Sequence, residues 1–352
     1  MTPVYFMHQL SDFDYELPRE LIAAYPAEDR PSARLLRVER ETGRTSHHTF
    51  RDIPEFFRAG DLLVLNDTKV FPARLFGKKQ SGGKVEALLL KEKQNNQWEA
   101  LLHPGGRVRR EMILTFGENG TRLEAEVLDN GRPGTGGRLL GFCGEAVRER
   151  IHKIGRIPLP PYIDRPDTEI DREFYQTVFA AKEGAAASPT AGLHFDKALL
   201  EALRRKGVGI VCVTLHAGYG TFRRITTEDL SKHQMFEEEY EVTPEAAAEI
   251  NKALRENRRV IACGTTAVRT LESAFNGQGR IQSGPGNTKL FIRPPYPFKT
   301  ISGLITNFHV PKSSLLLLVA AFLGREKMFA AYAEAIRARY RFFSYGDGML
   351  IL

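Results

Sequence analysis

Little in this chain can form a covalent crosslink or hold a structural metal. Its three cysteines, Cys143, Cys212 and Cys263, are far apart and odd in number, and they form no C-x-x-C pair. That excludes a disulfide framework or zinc ribbon and leaves reduced, buried thiols as the expectation. Long apolar runs are also missing. The longest, Leu315–Leu323, has nine residues, against the ~20 needed to span a bilayer, so it predicts a buried helix. The first residues, MTPVYFMHQLSDFDYELP, have neither a basic start nor an apolar core, unlike a signal peptide. A cytoplasmic protein without a membrane segment is expected. Walker A and H-E-x-x-H motifs are absent, which argues against P-loop nucleotide hydrolysis and zincin chemistry. Heptads, repeats and low-complexity tracts are absent too.

What is present suits a globular protein of 352 residues, 42% hydrophobic and 26% charged. At that length a large domain plus a smaller one is the expectation. Glycine divides the chain, because 12 of its 31 glycines lie between Val70 and Phe142. They separate short runs such as VEALLL, WEALLH, EMILTF and RLEAEVL, the pattern of antiparallel strands in a small barrel. The flanks alternate strands with helices such as Asp196–Lys206 and Pro244–Asn257. The expected fold is an α/β domain, residues 1–66 and 150–352, carrying an inserted all-β, barrel-like domain at 67–149. Four strands, Asp61–Leu65, Val208–Leu215, Arg259–Ala262 and Ile301–Thr306, place polar residues at their carboxyl ends. Ligands bind there in open α/β sheets. Asn66, Thr190, His194, His216, Gly218, Thr265, Thr266, Asn307 and His309 should therefore line one cleft.

Residues 155–196 hold the densest chemistry: GRIPLPPYIDRPD, YQTVFA and GAAASPTAGLHFD. Pro158, Pro160 and Pro161 exclude a helix, while Ile157, Leu159, Tyr162, Phe174, Tyr175, Val178 and Phe179 want burial. An ordered, irregular, site-forming loop follows. Asp164 reads either as a functional carboxylate or as the partner of Arg165 in a loop-fixing ion pair; Asp347 is the other carboxylate of interest. Gly264-Thr265-Thr266 opens a helix, where free N–H groups and the dipole attract an anion. With Arg269 one turn on, the spacing suits a carboxylate or phosphate; a plain threonine cap is the alternative. His194, His216 and His309 sit beside a glycine or a strand end and titrate near neutrality, so each is either a proton-transfer group or a satisfied structural residue. Their Thr- and Asn-rich surroundings argue against zinc. The strand-then-HAGYGTF stretch lacks the acid and third glycine of a dinucleotide or methyltransferase fingerprint.

A net charge of +7 points to an anionic partner, with RNA foremost. Arg337, Arg339 and Arg341 lie among Tyr340, Phe342, Phe343 and Tyr345. Arginine can neutralise phosphate while aromatic faces stack on unpaired bases, so an RNA-binding role is expected for the arginines with Phe343 and Tyr345. The alternative is that the aromatics are core and the arginines cover it.

At these residues the chain resembles the S-adenosylmethionine:tRNA ribosyltransferase-isomerase family of queuosine biosynthesis. The resemblance runs through ELIAAYPAEDRPSARLL, GDLLVLNDTKVFPARLFG, LPPYIDRPD, PTAGLHFD, VTLHAGYGTF, ACGTTAVRTLES, LITNFHVPKSSLLLLVAAF and YRFFSYGDGMLI. It departs where the family commonly has H-x-M-H-x-E, since Phe236 replaces the second histidine between His233 and Glu238. Ala267 stands where serine is frequent, and Tyr219 and Arg223 fall in a variable part of the glycine loop. The resemblance implies a monomer that moves the ribosyl moiety of S-adenosylmethionine to a 7-aminomethyl-7-deazaguanine at the tRNA wobble position. Isomerisation gives epoxyqueuosine, with adenine and methionine released. S-adenosylmethionine is then a consumed substrate, and neither cofactor nor metal is implied. His194, His216, His309 and Asp164 become candidates for proton transfer. Asn66, Thr190, Gly218, Gly264, Thr265, Thr266 and Asn307 become candidates for substrate binding, with Arg269 and the Gly264 turn on the methionine carboxylate. A non-catalytic tRNA-binding protein and an RNA methyltransferase are the competing readings.

Overall fold

The four apolar runs that end in polar residues become parallel neighbours in the middle of a nine-stranded mixed sheet. From edge to edge its strands are Gly284–Thr288, Glu238–Val242, Gly209–Leu215, Leu62–Asn66, Val260–Cys263, Gly303–Asn307, Gly348–Ile351, Arg34–Val38 and Thr45–Thr49. Gly209–Leu215, Leu62–Asn66, Val260–Cys263 and Gly303–Asn307 run parallel, so their carboxyl ends share one crest. Gly348–Ile351 runs against Gly303–Asn307 and parallel to Arg34–Val38, joining two halves of opposite direction. The structure is a computed structural model that describes residues 9–117, 120–131, 137–218 and 225–352. Tyr219, Gly220, Thr221 and Arg223 of the glycine loop lie outside the described residues.

Alternation along each central strand sends side chains to two cores. Leu62 and Val64 enter one, with Ala262, Leu304 and the helix Ser314–Leu323. Leu63 and Leu65 enter the other, with Ile261, Ile305 and the helix Lys197–Arg205. Side-chain caps set the helix starts: Asp196 accepts from the Leu199 amide, Thr243 from that of Ala246 and Ser313 from that of Leu316. Each such cap is worth about 1 kcal/mol. The run Leu315–Leu323 is indeed a buried helix, and no described helix is long and apolar enough to cross a membrane.

Six strands between Arg74 and Phe142 close an antiparallel barrel around Leu75, Ala87, Leu89, Leu114, Phe116 and Leu140. Closure leaves no unpaired edge. The stretch Thr68–Val70 lies outside the barrel and pairs with Lys182–Ala185. The helix Val147–Ile154 straddles residue 149 and packs Val147 and Ile151 into the barrel core. Of the thiols, Cys263 is buried as expected, whereas Cys143 is exposed just after the last barrel strand.

Candidate active site

Asn66 ties the crest together. Its amide donates to the Leu215 carbonyl (3.1 Å) and the Thr266 hydroxyl (3.0 Å), and its oxygen accepts from the amides of Leu215 and Thr68. Buried and saturated, it cannot also hold a substrate, which corrects the expected binding role; it is a strut that fixes neighbouring strand ends.

Above the strut, Thr190, Gly264, Thr265, Thr266, Asn307 and His309 line one cleft, with Tyr162, Ser188 and Phe343. Gly264 adopts φ +89°, the left-handed region glycine tolerates, and so turns the chain straight into the helix Thr265–Ala274. The first turn of that helix brings its free amides to the cleft. On the opposite wall Thr190 donates to Asn307 Oδ1 at 3.0 Å, and Tyr162 packs on Phe343 with ring centroids 4.8 Å apart. The Tyr162 hydroxyl is anchored to Ser344 at 2.6 Å.

His309 Nε2 bonds the Thr306 hydroxyl at 2.7 Å, its backbone amide donates to Tyr332, and its carbonyl accepts from Tyr15. Burial lowers its pKa to about 3, so the imidazole is neutral at pH 7. His194 is also lowered to about 3, by burial and then by Arg341 and Arg30. It does not reach the cleft. It sits behind Asn307, whose amide lies 3.3 Å from its Nε2, and it lines a small separate cavity with Arg30 and Tyr345. His194 thus positions Asn307, which corrects its expected catalytic role.

His216 and Gly218 occupy a second cavity, between the crest and the barrel strands that carry Lys91 and Glu99. It meets the first cleft at Ala217, which lines both. The single expected cleft is therefore two adjoining ones. His216 Nδ1 bonds the Thr68 hydroxyl at 2.7 Å, and the ring lies flat on Gly184, where an added Cβ would meet ring atoms at 2.8–2.9 Å. Burial lowers the His216 pKa, opposed by the carboxylates of Glu239, Asp67 and Glu241.

Two expected charges lie elsewhere. Arg269 is buried, pairs with Glu238 and donates to the Leu290 carbonyl; it lines neither cavity and cannot clamp a carboxylate in the cleft. The helix keeps its amides there and turns its arginine away. Asp164 is exposed and outside both cavities, and Arg165 pairs with Asp171 through both guanidinium nitrogens at 2.7 and 2.8 Å. Asp171 also accepts from Tyr345 at 2.6 Å. This buried triad went unseen in the sequence, although T-x-x-D at Thr168–Asp171 is a capping-box signature.

The C-terminal segment is mostly core. Tyr340, Phe342, Phe343 and Tyr345 are buried. The Tyr345 hydroxyl is committed to Asp171, and Phe343 faces the cleft of Thr190 and His309. Arg337 pairs with Glu334 and Arg341 donates to the Tyr25 carbonyl; Arg339 remains exposed. Asp347 accepts from the amides of Arg34 and Arg341 and braces this turn.

Comparison with known proteins returns one family. Residues 10–351 match the pattern of queuosine biosynthesis proteins. A protein of Desulforamulus reducens named S-adenosylmethionine:tRNA ribosyltransferase-isomerase is 51% identical over 98% of this chain and 100% of its own. One from a Thermoanaerobacter strain bears the same name and is 49% identical over 97% and 99%. The crystal structure of an S-adenosylmethionine tRNA ribosyltransferase from Thermotoga maritima is 37% identical, with TM-score 0.55, covering 97% of this chain and all of that one.

Proposed function

We propose, because the chain belongs to the queuosine biosynthesis protein family, that the paired cavities at the sheet crest are where it acts on S-adenosylmethionine and tRNA. It is a transferase and isomerase that moves the ribosyl moiety of S-adenosylmethionine to tRNA. The observation that carries this is the match along essentially the whole chain to relatives of that name. In our reading the acceptor is 7-aminomethyl-7-deazaguanine at the wobble position, and adenine and methionine leave. S-adenosylmethionine is consumed, no cofactor takes part, and the protein works as a cytoplasmic monomer. Residues 67–149 form an inserted unit on the α/β unit of 1–66 and 150–352, with the helix Val147–Ile154 completing the barrel core.

The residues support a division of labour. The cleft of Thr190, Thr265 and Asn307 receives S-adenosylmethionine. Its carboxylate meets the first-turn amides of the helix Thr265–Ala274, and its sulfonium the faces of Tyr162 and Phe343. His309, neutral and held by Thr306, hydrogen-bonds the substrate. The sulfonium acidifies the ribose 5′ C–H, and a base must remove that proton. His216 suits this better than His309, because adjacent carboxylates stabilise its protonated form. The cavity it shares with the barrel then takes the modified nucleotide.

Incubating the protein with tRNA bearing the aminomethyl-deazaguanine and labelled S-adenosylmethionine tests the reading. Adenine and methionine are expected. S-adenosylhomocysteine would instead identify a methyltransferase, and unconsumed S-adenosylmethionine a mere binder.

A further inference from the structure

The barrel carries a groove lined by more cations than its acids can pair. It runs from the hairpin of Arg74–Lys79 and Lys84–Gln94 across the helix Val147–Ile154 to the helix Glu169–Phe174. Three acids line it, and each is occupied by an arginine: Glu86 by Arg74 at 3.2 Å, Glu124 by Arg122 at 2.9 Å and Glu169 by Arg172 at 3.6 Å. Lys78, Lys79, Lys84, Lys153 and Arg156 line the same groove and have no acidic partner among the described residues. Lys78 stands directly opposite Lys84 in the antiparallel register. Like charges so placed destabilise a hairpin by a few tenths of a kcal/mol or more. Phe76, on the same face of its strand as Lys78, leaves 53% of its surface exposed in the groove.

We propose that this groove docks the phosphate backbone of the tRNA, with Phe76 as a stacking face for an unpaired base. The proposal rests on the reading of tRNA as substrate. Unpaired cations along a wide groove track a polyanion, and an exposed aromatic among them favours a nucleic acid over an acidic peptide. The arginine-rich C-terminal segment fits less well, because Arg337 and Arg341 are already engaged and its aromatics are buried.

The test is equilibrium binding of an unmodified tRNA transcript at several salt concentrations to the full chain. Its triple variant Lys78→Gln/Lys84→Gln/Lys153→Gln is compared with Arg339→Gln. The triple variant is expected to lose at least ten-fold in affinity, and its slope of log affinity against log salt to shrink by roughly 0.7–0.9 per contact removed. Phe76→Ala is expected to lose several-fold with the slope unchanged. S-adenosylmethionine affinity and turnover at saturating modified tRNA should stay as in the parent. Unaltered tRNA affinity and slope in a folded triple variant overturn the proposal, as does a larger loss in Arg339→Gln. An acidic peptide that competes as well as the transcript overturns it too. Failure of the parent to consume S-adenosylmethionine would sink the enzymatic reading and leave the binding comparison standing.

Discussion

The crest cleft and the barrel groove treat polar groups in opposite ways. At the crest, Asn66, Thr306 and His309 are buried with specific partners, and the His309 imidazole is held neutral. In the groove, five cations stand without counter-ions among the described residues, and the hairpin that carries three of them would be more stable without the Lys78–Lys84 facing pair. Buried polar groups have geometry imposed by the fold, since leaving one unsatisfied costs folding free energy. Exposed lysines have almost no folding cost and are free to serve an outside ligand. Chemistry and docking thus sit on different physical footings, and substitutions should separate them.

The largest effect is expected at a buried ion pair outside both regions that satisfies its polar groups as the crest does. Asp171→Ala strands the Arg165 guanidinium and the Tyr345 hydroxyl in a buried site and should destabilise by about 3–5 kcal/mol in urea unfolding; a loss below ~1 kcal/mol would put this triad on the groove's side of the comparison. Burial alone would raise the Asp171 pKa, but hydrogen bonds from Arg165, Tyr345 and Thr168 hold it at about 2. Its stabilising contribution is therefore complete above its ordinary value of 3.8 and declines as pH falls towards 2.

Next comes catalysis. His216→Ala should lower kcat by about 10²–10⁴ with S-adenosylmethionine affinity held within a few-fold. Gly184→Ala, whose methyl group must displace the His216 ring, should reproduce part of that loss at a distance from the cleft of Thr190 and His309. Normal turnover in Gly184→Ala would show that the ring's position is immaterial.

Smaller again is the acid sensitivity of the two deeply buried histidines. His194 and His309 stay neutral in the fold down to about 3, while an unfolded histidine takes a proton near 6.5. Stability is thus fully present above 6.5 and falls as pH drops from there towards 3. Between pH 7 and pH 5 the parent should lose more unfolding free energy than His194→Gln does; equal losses would mean that His194 is solvated.

The smallest effect should be on the stability of groove variants. Lys78→Gln and Lys84→Gln should change unfolding free energy by less than about 0.5 kcal/mol, and removing one of two facing charges should stabilise slightly. A clear destabilisation would mean that these lysines support the barrel.

The sequence made the sheet legible because its central strands are buried on both faces and end in turn-forming polar residues. Leu62–Asn66 and Gly303–Asn307 begin and end within two residues of the expected positions. Barrel strands were visible from glycine spacing. Direction of side chains was not. Arg269, one turn into its helix, was expected to face the anion site, but helical rotation turns it to Glu238, 31 positions away. Nothing local marks that partner. His194 looked equivalent to His309 because each sits beside a glycine or a strand end, and only packing shows that Asn307 stands between it and the cleft. The groove was partly readable, since Lys78 and Lys84 flank Gln80-Ser81-Gly82-Gly83, a hairpin turn. What could not be read was that Glu86 and Glu124 are spoken for by Arg74 and Arg122.

The strand Gly348–Ile351 bridges the two halves of the sheet, and it is the last described strand in chain order. A ribosome therefore delivers the barrel, with its covering helix, long before the large sheet can knit. Until that strand emerges, Gly303–Asn307 and Arg34–Val38 each show a bare row of backbone groups, a template for sticking to other nascent chains. A premature stop codon just before Gly348 should release a polypeptide whose barrel is folded and whose large sheet is parted between Gly303–Asn307 and Arg34–Val38, one suited to chaperone capture and proteolysis.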